Sequence, residues 1–239
     1  MGIKLARKKN SNLLLSFIYR LSKLPFLSST SKFKLFLNLE WIFERLAHEK
    51  SFDYYSTENH PLRKISNAHI LGLIKESDSV LDMGCHAGQI TATIATKAKN
   101  VVGIDYDREA IESANKRFKK DNLVFIHSDI ESYLAKNSVS FDVLILSHIL
   151  EHIEDPEKMI LCIKPFINYM YIEVPDFDKT YMNHYRQDLH LDLIYTDADH
   201  ITEFDRVEMK ALIKTCGFSV LESEYEFGLQ RHWCKKENA

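Results

Sequence analysis

The 239-residue chain has few cysteines, and its four, Cys85, Cys162, Cys216 and Cys234, make no C-x-x-C pair. That spacing excludes a cysteine zinc site and offers no disulfide framework, a usage that fits the reducing cytoplasm. No stretch of the N-terminus is apolar enough for a signal peptide or a bilayer span. The run Leu13 to Tyr19 is short, is followed by Arg20 and Lys23, and leads to no small-residue cleavage site. Charge of one sign is also lacking. A net charge of −3 gives no global attraction to nucleic acid. Internal repeats and low-complexity tracts are absent, and 45% hydrophobic with 27% charged residues is ordinary globular composition. The length suits one α/β domain with an extra segment rather than two independent domains. The dinucleotide fingerprint G-x-G-x-x-G does not occur either.

In its place stands Val80-Leu81-Asp82-Met83-Gly84-Cys85-His86-Ala87-Gly88, an apolar strand signal entering a glycine-bearing turn, with Asp105 17 residues after Gly88. Strand, tight turn and helix start let backbone N–H groups approach a nucleotide-type ligand. An acid at the end of the next strand can accept from ribose hydroxyls. Asp82, two residues before the first glycine, suits a sulfonium or ammonium better than a pyrophosphate.

Four segments in order resemble the class I S-adenosylmethionine-dependent methyltransferases. Asp82 to Gly88 is similar to their first motif, D-x-G-C-G-x-G, with His86 standing where the family usually has its middle glycine. Asn100 to Asp105 resembles the second strand and ribose-binding acid, and His127-Ser128-Asp129-Ile130 the turn that holds the adenine. Phe141 to Pro156 resembles strand four and its active-site loop. The resemblance covers roughly residues 62 to 236. It implies an α/β, Rossmann-like, doubly wound and mostly parallel seven-stranded sheet. It implies S-adenosylmethionine as cofactor, held by Asp82, Gly84, Cys85, His86, Gly88, Asp105, Tyr106, Asp129, Ile130 and Ser147. It also implies O-methylation, and the likeness to methyltransferases of bacterial polysaccharide pathways points to a nucleotide-linked sugar or surface-glycan precursor.

The pattern predicts helices over 31–49, 62–74, 88–98, 107–119, 155–166 and 205–216. Strands are predicted over 79–83, 100–105, 122–127, 141–147, 169–174, 218–225 and 230–236. Residues 1–61 read as a helical cap on a domain of 62–239. Pro175 to His200, rich in histidine, tyrosine and aspartate, follows strand five at the carboxyl edge of the sheet and is the candidate acceptor insert. Eight basic residues and no acidic one precede Glu40. Residues 1–34 therefore read either as a basic amphipathic segment touching anionic lipid, or as a helix packed on the fold or on a sister subunit of a homo-oligomer.

Transfer to a hydroxyl needs a base with a pKa near neutrality, which makes histidine the default. His148 is the preferred base; a structural histidine is the bland alternative. Glu151 and His200 complete the catalytic set, and His184, His190 and His200 are rivals for the base. His148-Ile149-Leu150-Glu151-His152 is also similar to the E-x-x-E-H signature of metal-dependent relatives, the ubiquinone-pathway and small-RNA O-methyltransferases. That likeness implies a divalent metal on His148, Glu151, His152 and His200, although Glu-His is also common in metal-free relatives. A metal is not the favoured reading. A quinone-type phenol or an RNA 2′-hydroxyl is the alternative acceptor. A cofactor-binding protein without catalysis is the alternative of another class, prompted by His86.

Overall fold

The computed structural model describes residues 13–237 apart from 24, 57, 137–138, 194–196 and 198. Four of the eight N-terminal basic residues, Lys4, Arg7, Lys8 and Lys9, and Tyr195 of the insert lie outside the described residues. Seven strands form one sheet: β1 (Ser79–Met83), β2 (Asn100–Asp105), β3 (Leu123–His127), β4 (Phe141–Ser147), β5 (Ile167–Pro175), β6 (Phe218–Glu226) and β7 (Leu229–Lys236). Their order is β3-β2-β1-β4-β5-β7-β6, parallel except where β7 runs antiparallel to both neighbours. The order reverses between β1 and β4. In open α/β sheets that switch point, at the carboxyl ends of the strands, is where a ligand crevice opens.

The central strands are apolar on both faces because helices cover both. Val143, Leu144, Ile145 and Leu146 of β4 are all fully buried. Helices α3 (Pro61–Leu73), α4 (Gln89–Ile94) and α5 (Arg108–Arg117) cover one side of the sheet. Those following, α6 (Ile130–Lys136), α7 (Pro156–Ile163) and α9 (Arg206–Thr215), belong with the other side. The capping chemistry is local. Asp107, Asp155 and Asp205 each accept from backbone N–H groups of the helices they start, and Asp205 with Glu208 makes a complete capping box.

Several differences from the sequence pattern are local. The helix predicted over 88–98 stops at Ile94, because Asn122 Nδ2 donates to the carbonyls of Ala95 and Ala98, and Lys120 Nζ to that of Ala92. A short helix, α6, occupies Ile130–Lys136, started by Asp129 Oδ1 accepting from Ser132 N at 2.8 Å. The insert is structured rather than a loop, with a helix α8 at Tyr181–Asp188.

Helix α2 (Ser29–Tyr54) is longer than its apolar pattern predicted, extended by the Arg45–Glu49 and Lys50–Asp53 pairs. Only its Leu37 is buried. It rests on the insert. Arg186 of α8, fully buried, donates to Leu37 O at 3.1 Å and Asn183 Oδ1 at 3.0 Å, and pairs with Glu40. Lys34 reaches Leu189 O at 3.0 Å, Lys179 pairs with Glu44 at 2.7 Å, and Arg45 with Asp197 at 2.8 Å. The cap is thus held mainly by polar ties. Arg186→Ala would strand a carbonyl and an amide oxygen in a buried site, at a cost of about 1–3 kcal/mol. Limited proteolysis should then cut within α2 faster while the circular dichroism of the sheet domain stays; an unchanged cleavage rate would show that α2 is held by something else.

Candidate active site

A cleft of about 1480 Å³ opens at the switch point. Its floor comes from the ends of β1 and β4: Gly84, Cys85, His86, Ser147 and His148 all line it. Its opposite wall is α2, through Glu40, Trp41, Glu44, Arg45, His48 and Phe52, and the insert contributes Lys179, Thr180 and Asn183.

The turn after β1 needs glycine at both ends. Gly84 and Gly88 have φ of +71° and +77°, and a Cβ on Gly84 would sit 1.9 Å from Ile149 Cδ1. His86, in the position between them, also takes a positive φ, 45°. Histidine is among the better non-glycine residues there, and its N–H is held by Asp105 Oδ2 at 2.7 Å. The departure from glycine therefore leaves the turn intact. Asp105 is 8% exposed at the end of β2, and its other oxygen accepts from Asp107 N at 2.8 Å. A carboxylate offers about four lone-pair sites, so two remain for a diol. Tyr106 beside it is exposed, while Ile130 is turned into the core and Asp129 starts α6.

Asp82 is 3% exposed with Thr91 Oγ1 donating to it at 2.7 Å. Burial pushes its carboxyl up to about 7, against the Thr91 hydrogen bond. A buried carboxyl short of a cation beside a glycine turn is the donor set a sulfonium- or ammonium-bearing ligand fits. The residues present therefore suit S-adenosylmethionine.

His148 follows β4 with φ of 56°, its N–H held by Glu173 O at 2.8 Å. Its Nδ1 lies 3.2 Å from Glu151 Oε1 and its Nε2 3.6 Å from Glu173 Oε1. Burial works against charge on this imidazole, but Glu151 and Glu173 outweigh it and raise its pKa above the ordinary histidine value. Glu173 is itself buried and paired with Arg231 Nε at 2.5 Å, with Tyr171 and Ser147 hydroxyls donating to it at 3.0 and 3.1 Å. Burial opposes its charge, yet His148 and Arg231 hold it below the usual carboxylate range. Glu173, Arg231 and Tyr171 have no place in the motifs. Their signal was a glutamate inside the apolar strand Tyr169-Met170-Tyr171-Ile172-Glu173-Val174.

Glu151, His152 and His200 each bring one ligand atom to within 4.8 Å of the others; His148 is not in that group. Glu151 Oε2 is buried with no hydrogen-bond partner, and the His152 and His200 rings meet edge-on at 4.7 Å. His200 Nδ1 lies 2.9 Å from Glu203 Oε1. His184 is bonded to Asp178, and neither it nor His190 lines the cleft. The aromatic wall expected of the insert is supplied elsewhere. Tyr181 is exposed and Tyr185 packs against Phe33 of α2, and Trp41, Phe52 and Phe227 line the cleft instead.

The match of a methyltransferase-domain family model to residues 54–223 agrees with this geometry. The chain belongs to the class I S-adenosylmethionine-dependent methyltransferases. Among curated proteins it is 38% identical over 96 residues to an uncharacterized RNA methyltransferase of Mycoplasma mobile, covering 38% of this chain and 26% of that protein. It is 30% identical over 107 residues to a ubiquinone biosynthesis O-methyltransferase of Vibrio parahaemolyticus, covering 42% and 46%. The chain thus spans less than half the length of these relatives. Among solved structures, a SAM-dependent methyltransferase from Archaeoglobus fulgidus matches with TM-score 0.57 at 19% identity, over 73% of this chain and 93% of that one. Magnesium protoporphyrin IX methyltransferase from Synechocystis, with bound SAH, matches with TM-score 0.56 at 14% identity over 95% of both chains. These structural likenesses extend the fold across the sheet.

Asp105→Ala should weaken S-adenosylmethionine binding by about 1.5–3 kcal/mol, since two hydroxyls lose a charged acceptor. Asp105→Asn, which keeps an oxygen for His86 N, should retain the turn and lose less. Calorimetry giving both folded variants the affinity of the parent would remove Asp105 from the cofactor site.

Proposed function

We propose that the protein is an S-adenosylmethionine-dependent O-methyltransferase acting on a hydroxyl of a small polar acceptor, with His148 as its base. The observation carrying this reading is His148 itself, on the cleft floor beside the Gly84–Gly88 turn, its imidazole set between Glu151 and Glu173. S-adenosylmethionine supplies a methyl group on a sulfonium, ready for in-line displacement. The chain supplies position and proton management. Glu151 Oε1, the closer carboxylate, holds the Nδ1 proton, which leaves the Nε2 lone pair to take the proton of the acceptor hydroxyl. The carboxylates raise the basicity of that nitrogen.

The walls support one acceptor class. Trp41, Phe52 and Phe227 offer apolar faces, and Asn67 and Thr180 offer hydrogen bonds. Carboxylates such as Glu44, Glu49 and Asp199 can accept from hydroxyls, and Arg63 and Lys120 can meet a phosphate. We read this as a site for a nucleotide-linked sugar or surface-glycan precursor. An RNA backbone is disfavoured by the acidic majority of these charged groups.

A second reading rests on the unpartnered Glu151 Oε2 beside His152 and His200. With a divalent ion held by these three, the protein would be a metal-dependent O-methyltransferase, the acceptor a quinone-type phenol or an RNA 2′-hydroxyl. A cofactor-binding protein without catalysis would show no turnover with any acceptor.

His148→Ala should lower turnover roughly 10²-fold or more and leave cofactor affinity nearly intact. Base action needs the neutral imidazole, and the folded pKa is raised. Activity should therefore fall as pH drops through a value above the ordinary 6.5 of histidine. Loss of activity on chelation, restored by added divalent ion, would establish the metal reading. Full activity of His148→Ala at saturating substrate would discard His148 as the base.

A further inference from the structure

Helix α1 (Leu13–Ser22) buries none of its residues. Leu13, Leu14, Phe17, Ile18 and Leu21 are all exposed, between 43% and 81%. At about 100° per residue these five cover an arc of roughly 140°; Arg20 borders that arc beside Leu13, and Leu15 and Tyr19, also exposed, carry the apolar surface round to the far side. The turn that follows exposes Phe26 at 83% and Leu27 at 50%. Helix α2 has the same division. Its cleft-lining residues Glu44, His48 and Phe52 share the side of Leu37, while Leu35, Phe36, Ile42, Phe43 and Leu46 stand exposed on the opposite side. An apolar surface of this extent needs a cover.

The charge pattern selects which. Eight basic residues and no acidic one precede Glu40 in the sequence, so the helix that buries none of its residues lies in the most cationic stretch of a chain whose net charge is −3. A second copy stacked on α1 would bring like charges together with no acid in either segment to offset them. An anionic bilayer surface takes the apolar residues between its headgroups and pairs with Arg20, Lys23 and the other basic residues that flank the helix in sequence. No helix among the described residues is long and apolar enough to cross a membrane. We propose that α1 and the turn after it form a membrane-interfacial anchor that seats the protein on an anionic lipid surface. Since α2 continues directly from that turn and forms a wall of the cleft, the anchor and the acceptor side of the cleft share one short stretch of chain.

The test is co-sedimentation of the full chain with vesicles of phosphatidylcholine alone and with phosphatidylglycerol added. Binding to the anionic vesicles should be about tenfold stronger or more, and should weaken as salt screens the charges. Phe17→Ser with Ile18→Ser, both exposed and outside the cleft, should lose about tenfold in vesicle binding while the thermal midpoint and cofactor affinity stay unchanged. Arg20→Glu with Lys23→Glu should abolish the preference for anionic lipid. Failure of the parent chain to bind anionic vesicles overturns the proposal, as does binding that both paired variants retain in full. A concentration-dependent dimer that Phe17→Ser with Ile18→Ser dissolves, without vesicle binding by the parent, also overturns it and assigns the face to a second copy.

Discussion

The geometry around His148 depends on one buried carboxylate. Glu173 sits near the end of β5 and touches Arg231 of β7, Ser147 at the end of β4, His148 after it, and Tyr171 on its own strand. Arg231 then reaches Glu224 of β6 at 3.0 Å. A buried pair of this kind contributes little net stability, because desolvation offsets most of the attraction, but removing one partner is costly. Its consequence is positional. The antiparallel β6–β7 unit is locked in register against the parallel sheet, and the strand-four loop is fixed above it. The same carboxylate that joins the sheet's two parts also faces the imidazole, so sheet assembly and the electrostatics of the cleft share one group.

The opposite wall is built on another principle. Helix α2 contributes one buried residue, Leu37, and is otherwise tied by Arg186, Lys34, Lys179 and Arg45 to carbonyls and carboxylates. Exposed pairs such as Lys179–Glu44 contribute little each. Arg186 differs because it is enclosed and its two terminal nitrogens meet Asn183, Leu37 O and Glu40. A wall held by few apolar contacts can open at modest cost, which suits a cleft that must admit an acceptor and release a product.

Much of this was legible in the sequence where a pattern is local. Apolar strands alternating with helices gave the parallel sheet, and Gly84 and Gly88 stand in a tight turn with Asp105 at the end of the next strand, because such placement depends on neighbours within the motif. Glu151, His152 and His200 also came together, although 48 residues separate the last two. The rest depended on long-range pairing. Nothing near Glu173 in the chain announces Arg231, and nothing near Arg186 announces Glu40. The insert's tyrosines read as a ligand surface by composition, yet Tyr185 packs edge-on against Phe33 of α2 at 5.4 Å, leaving Trp41 and Phe52 to face the cleft. Composition identifies which residues can line a site, but the side a helix presents decides which do.

His86 and His148 show how the two strand ends at the switch point are coupled. Both adopt the left-handed region, at 45° and 56°, where a non-glycine residue stores strain of about 1–2 kcal/mol. Each is held there by its backbone N–H. His86 donates to the carboxylate of Asp105 on β2, and His148 to the carbonyl of Glu173 on β5. The acids that serve the site thus also hold its backbone, one on each flank of the β1–β4 pair. Asp105 therefore clamps the turn, and under the proposed function its remaining lone pairs would serve a diol. Because the N–H of His86 is already committed to that clamp, close approach of a ligand at this turn relies on Gly84 and on the side chain of Asp105, and the usual middle glycine becomes dispensable.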